Sequence, residues 1–152
     1  WPGEDTKLCL DLIKKTGKKI LYIPDMVVWH HRRANLAAHL KQVGGYGLHR
    51  GYFARKYPET SRKLAYFVPS AFLIFFLISL TSYWLPQSLQ LLLIVGWGAY
   101  VLAMLFAFKD ITKYESIQIA AVAISYAFFT HIFYGFKFIQ GLFTSNLVSR
   151  LR

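Results

Sequence analysis

Apolar and polar positions alternate in three different ways along this chain, and each predicts a different kind of element. From residue 4 the apolar positions Leu8, Leu12 and Ile13 fall on one face at helical spacing. Asp5 or Thr6 is placed to cap the start, Lys14 and Lys15 suit the last turn, and Gly17 suits a left-handed stop, so one short amphipathic helix is expected. Two β-prone runs follow, Lys19-Ile20-Leu21-Tyr22-Ile23 and Met26-Val27-Val28-Trp29, separated by Pro24-Asp25. They read as neighbouring strands or one bent strand.

From Asn35 helical spacing returns through Leu36, Leu40, Val43, Leu48, Tyr52 and Phe53, with His39, Lys41, His49, Arg50, Arg55 and Lys56 on the other face. That pattern suits a helix lying in a membrane interface. Gly44, Gly45, Gly47 and Gly51 each disfavour helix by about 1 kcal/mol, which predicts a helix, a glycine-rich break and a second helix ending at Pro58.

Beyond residue 63 the periodicity gives way to continuous apolarity. No Asp, Glu, Lys, Arg or His occurs from Leu64 to Phe108, and a bilayer crossing takes about 20 apolar residues, so this stretch is long enough for two. The expected spans are about 64–85, 89–108 and 117–136, with Pro86-Gln87-Ser88 as an uncharged turn and Lys109 to Glu115 as a charged loop. In the third span His131 sits among Tyr126, Thr130 and Tyr134, which suits hydrogen bonding between helices and not catalysis. The division is therefore 1–33 as a polar α/β segment, 34–63 as amphipathic interface helices and 64–152 as a transmembrane region of about three helices.

Composition sharpens this picture. The 152 residues are 55% hydrophobic, too apolar for an ordinary soluble domain, and of 18 Lys plus Arg 13 precede Leu64, against 7 Asp plus Glu in the whole chain. A basic face beside membrane spans fits anionic headgroups or a diphosphate-bearing substrate. Nucleic acid is set aside because no recognised binding motif accompanies the charge. Cys9 stands alone, which excludes an intramolecular disulfide and fits a reducing cytosolic face. Lys/Arg bias places the basic segment and the Lys109/Lys113 loop in the cytoplasm and Pro86-Gln87-Ser88 outside. The opening Trp1-Pro2-Gly3, without an initiator Met, reads as part of a longer protein.

The string Gly3-Glu4-Asp5-Thr6-Lys7-Leu8-Cys9-Leu10, a basic helix ending at Gly17, then Ile20-Leu21-Tyr22-Ile23-Pro24-Asp25-Met26-Val27-Val28-Trp29-His30 resembles the closing part of the catalytic domain of family 2 glycosyltransferases. The resemblance covers residues 1 to 57 by motif and the remainder by architecture. It implies the C-terminal fragment of a GT-A type α/β domain followed by interface and transmembrane helices in a multi-pass inner-membrane protein. The implied activity is inverting transfer of a sugar from a nucleotide-sugar donor to a lipid-linked or growing glycan acceptor, in envelope or exopolysaccharide synthesis.

The resemblance also assigns roles. Asp5 falls on the catalytic base, with Glu4 as the neighbour that tunes it; the bare alternative is that Asp5 caps a helix. His30 falls on a position near the donor diphosphate that in some members ligates the divalent cation, Mg or Mn, while the alternative is local hydrogen bonding. Most of the cation's ligands and the nucleotide pocket would lie upstream. Arg32 could hold phosphate or face headgroups. Gln42-Val43-Gly44-Gly45-Tyr46 is similar to the Gln-x-x-Arg-Trp motif of processive relatives, but Gly45 and Tyr46 replace its Arg and Trp. That loss of a guanidinium argues against processive synthesis and leaves Gln42, Tyr46, His49 and Arg50 as diphosphate- or acceptor-binding candidates. The competing class is a non-enzymatic membrane anchor or assembly subunit whose basic region binds lipid or a partner.

Overall fold

A computed structural model describes residues 4–29 and 35–147, with the Glu4 side chain excepted. His30 and Arg32 lie outside the described residues. The helices are α1 (Glu4–Thr16), α2 (Leu36–Lys56), α3 (Pro58–Ser61), α4 (Val68–Leu80), α5 (Gln87–Ile111) and α6 (Ile117–Phe143), with single 3-10 turns at Leu64–Tyr66 and Ser82–Trp84. The expected α/β fragment is not there: the described residues hold no strand and no sheet. Residues 20–23 and 26–28 have no regular secondary structure and exposed side chains, and the segment's own backbone bonds are turn bonds from Met26 N–H to the Ile23 carbonyl and Val27 N–H to the Asp25 carbonyl. The β propensity is real, but a strand needs a neighbour to satisfy its backbone, and among the described residues none pairs with it.

α1 matches its local signals. Gly17 adopts φ +65° and donates to the Ile13 carbonyl at 2.9 Å, closing the helix in the left-handed conformation that glycine takes without strain. The helix begins at Glu4, so Asp5 and Thr6 sit inside its first turn and are not the cap. Its apolar face is largely uncovered, with Leu8, Leu12 and Ile13 exposed.

α2 is one continuous helix of 21 residues, not two helices around a glycine break. Asn35 caps it, its Oδ1 accepting from the Ala38 N–H at 2.9 Å, and Pro58 opens α3 just after its end. The glycines are spent on α6, along which α2 runs in the same direction. A Cβ at Gly47 would lie 2.8 Å from the Tyr134 carbonyl oxygen; one at Gly51 would strike the Phe138 carbonyl, and one at Gly141 the Leu48 carbonyl. Small residues on both helices let the backbones approach to the point where only hydrogen fits. Phe138, in this contact, is almost completely buried, as is Phe53 on α2, whose ring meets Tyr57 edge to face at 5.2 Å; truncation of such a side chain to Ala costs about 3–5 kcal/mol.

α4 packs on the opposite course against α6. Ser70 Oγ donates to the Gly135 carbonyl at 3.2 Å, the Phe67 and Phe138 rings meet edge to face at 4.9 Å, and Phe72 and Phe76 lie against Phe128. The first expected span is thus shortened. Pro69 near its start and the turn at Thr81–Ser82 leave 13 helical residues, about 20 Å, where a hydrocarbon core measures about 30 Å. Among the described residues two helices, α5 and α6, are long and apolar enough to cross a membrane, where three were expected. Both run longer than their sequence bounds.

α1 and α3 lie at the C-terminal end of α6: Lys14 pairs with Glu59, Lys7 lies over the Tyr57 ring, and Arg55 donates to the Thr144 carbonyl. The Lys109 to Glu115 loop lies at the other end, about 40 Å away along 27 residues. If α6 crosses straight, that loop faces the side opposite α1, against the reading from charge bias.

Candidate functional site

Asp5 lies on the exposed side of the first turn of α1, where one carboxylate oxygen accepts from the Thr6 N–H at 2.7 Å. With Thr6, Cys9, Leu10 and Ile13 of α1, it lines an open recess of about 420 Å3 closed on the far side by Glu59, Thr60 and Lys63. The recess exists because Lys14 reaches across to Glu59 and Lys7 lies 5.7 Å from the centre of the Tyr57 ring. The ammonium of Lys14 holds the Glu59 carboxyl below its usual range, and Lys7 does the same for Asp11, at 2.5 Å one turn along α1. These pairs are exposed, so they orient α1 and add little to stability.

Glu59, Thr60 and Lys63 were not among the residues singled out from the sequence. Glu59 did carry a signal: it is the sole acidic residue between Asp25 and Asp110.

The second predicted group divides. Gln42 and Tyr46 stay together on the exposed side of α2, the Gln42 amide donating to the Tyr46 hydroxyl at 3.2 Å with the ring about half exposed. His49 turns back on its own helix, Nδ1 lying 2.8 Å from the Gly45 carbonyl, and burial pushes its pKa down against the upward pull of that bond. Arg50 is engaged structurally. Its guanidinium lies 4.6 Å from the centre of the Tyr66 ring and donates at 3.4 Å to the Thr60 carbonyl and Ser61 Oγ, tying α3 and the following turn to α2. So Arg50 borders the Asp5 recess from behind, through Thr60, while Tyr46 and Gln42 lie about one and about two turns before Arg50 on α2.

His131, assigned no catalysis, is held between helices: its Nδ1 lies 3.2 Å from the Tyr100 hydroxyl and its ring against Phe72. Its partner comes from α5 and not from the neighbouring Tyr and Thr positions. His39 pairs similarly with Thr130 at 2.8 Å.

The divalent cation that the resemblance implies has no ligand set here. Among the described residues no three His, Cys, Asp or Glu side chains come together, and His30 lies outside them. No step is routed through a metal on these residues.

No protein family, curated protein or solved structure matches the chain. The functional reading therefore rests on the residues and their placement.

Proposed function

We propose that the chain forms the membrane-facing part of an inverting glycosyltransferase of the family 2 type, with Asp5 as the base and a lipid-linked or glycan acceptor. The observation that supports it most is the position of Asp5: a solvent-accessible carboxylate on a recess whose far wall, α3, is fixed to the end of an apolar helix bundle. An acceptor anchored in a bilayer would reach that recess by moving along the surface. The Asp5 carboxylate then takes the proton of the acceptor hydroxyl as its oxygen attacks the anomeric carbon, and the nucleoside diphosphate leaves from the opposite face. On this reading the nucleotide-sugar donor and its cation are held by other parts of the full-length enzyme, and the basic end of the bundle faces the cytoplasm.

Tyr46 and Gln42 supply an exposed ring and amide on α2, suited to stacking on and hydrogen bonding to a sugar of the acceptor. Arg50 is a positioning residue for α3 in this account and does not bind phosphate.

The test is a donor screen on the full-length protein in membranes, with radiolabelled nucleotide sugars and extraction of the lipid and glycan fractions. Transfer of label from one donor supports the reading. Absence of transfer from every donor, with the protein folded in the membrane, favours the non-enzymatic anchor.

A further inference from the structure

A cleft of about 470 Å3 runs between α2 and α6 on the side away from α4, lined by Ala37, Leu40, Gly44, Leu48 and Phe133 with Lys41 and Lys137 at its edge. The Phe133 ring packs directly against Gly44, where a Cβ would overlap it, so the two helices close tightly at that point and the cleft runs along the contact. Its chemistry is unusually simple. The only polar side chains in its lining are the two lysines.

Among the described residues neither lysine has an acidic partner. Lys137 donates to the Gln140 side-chain Oε1 at 2.9 Å and lies within 6 Å of the Phe133 and Phe136 ring centres; Lys41 is exposed. Among the described residues the ion pairs involve Lys7, Lys14 and Lys113, and no Asp or Glu occurs in either α2 or α6. Two uncompensated ammonium groups thus border an apolar trough on a helix long and apolar enough to cross a membrane.

The geometry points to this cleft as a binding site for an anionic phospholipid of the surrounding bilayer, with the phosphate between Lys41 and Lys137 and an acyl chain along Leu40, Gly44, Leu48 and Phe133. Long lysine stems lie along apolar surface while their ammonium groups reach the phosphate level. A saccharide is a poor fit, because the lining offers no carboxylate, amide or hydroxyl side chain to read its hydroxyl groups. The inference rests on the bundle residing in a bilayer and not on the transfer reaction, so the two can fail separately.

The test uses the full-length protein in nanodiscs of dioleoylphosphatidylcholine into which dioleoylphosphatidylglycerol is titrated, with retained lipids counted by native mass spectrometry. A lysine at a membrane surface contributes a factor of about five in affinity for anionic lipid, so K41Q should weaken phosphatidylglycerol retention about fivefold and K41Q/K137Q about twenty-five-fold. K41R/K137R should retain it, and A37W, which fills the cleft at unchanged charge, should lose it. K15Q/K18Q removes the same charge from the end of α1 and should change retention less than twofold. Because Lys41 has no partner, K41Q keeps the measurement interpretable even if the double variant does not fold. Equal loss in K41Q/K137Q and K15Q/K18Q, unchanged retention in both K41Q and A37W, or retention of phosphatidylcholine as tight as phosphatidylglycerol would overturn the site.

Discussion

Replacing Gly51 with Ala sets two effects of opposite sign against each other at one position. In an isolated helix the change is favourable by about 1 kcal/mol, since Ala restricts the unfolded chain and propagates helix better. In this structure the added Cβ meets the Phe138 carbonyl of α6, a backbone group that cannot swing aside as a flexible side chain would. Overpacking costs about 1–3 kcal/mol, and a collision with backbone belongs at the upper end, so the net effect should be a loss of about 1–2 kcal/mol. For a chain of this size each kcal/mol moves Tm by about 2–4 °C, which places the expected fall at about 2–8 °C. Gly98 on α5 is the control: a Cβ there meets nothing within 4 Å, so Gly98→Ala should leave Tm unchanged or raise it. Thermal unfolding followed by near-ultraviolet circular dichroism in one detergent measures both. If Gly51→Ala raises Tm as much as Gly98→Ala, α2 and α6 do not approach as described and the account of the α2 glycines fails.

Three further outcomes follow. Because Lys14 lowers the pKa of Glu59 below its ordinary 4.5, the folded state binds that proton less readily than the unfolded one; the stabilisation is present above pH 4.5 and lost as pH falls below it. Glu59→Gln should therefore flatten the acid limb of Tm against pH and increase proteolytic cutting between Gly17 and Trp29, and an unchanged limb would detach α1 from α3. His49 is pushed the same way by burial, but as a base it is stabilising when neutral: stability is complete above about pH 6.5 and declines as pH drops toward its lowered folded pKa, a decline that His49→Gln should remove in the same scan. Tyr46→Ala should raise the concentration of acceptor needed for half-maximal transfer much more than that of donor, and an equal loss in both titrations would take Tyr46 out of the acceptor site.

What the sequence revealed and what it hid separate by range. α1 was legible almost to the residue because its signals, apolar spacing and a glycine stop, act within four residues. The glycines of α2 misled for the opposite reason: their local cost was read correctly, but what offsets it is a helix some 90 residues further on, and nothing near Gly47 or Gly51 announces Phe138 or Tyr134. The run from Leu64 showed its apolarity plainly, yet apolarity does not count helical residues, and Pro69 with the turn after Leu80 shortened α4 below a crossing. Residues 20–29 carried β propensity without a partner to act on it. At the site, Asp5 was found from its neighbours in sequence, whereas its opposing wall of Glu59, Thr60 and Lys63 depended on how α3 folds back. Arg50, a diphosphate- or acceptor-binding candidate from the sequence, makes contacts to Tyr66 and Thr60 that depend on the same fold-back.

The central claim is that Asp5 removes the acceptor proton, and Asp5→Asn in the full-length protein tests it most directly. The variant keeps size and the Thr6 N–H contact but cannot act as a base. With saturating donor and acceptor, turnover should fall by about a hundredfold or more while donor binding stays within about twofold, as expected for loss of a general base. Near-normal turnover, with only a modest fall in Tm, would show that Asp5 serves the first turn of α1 and nothing more.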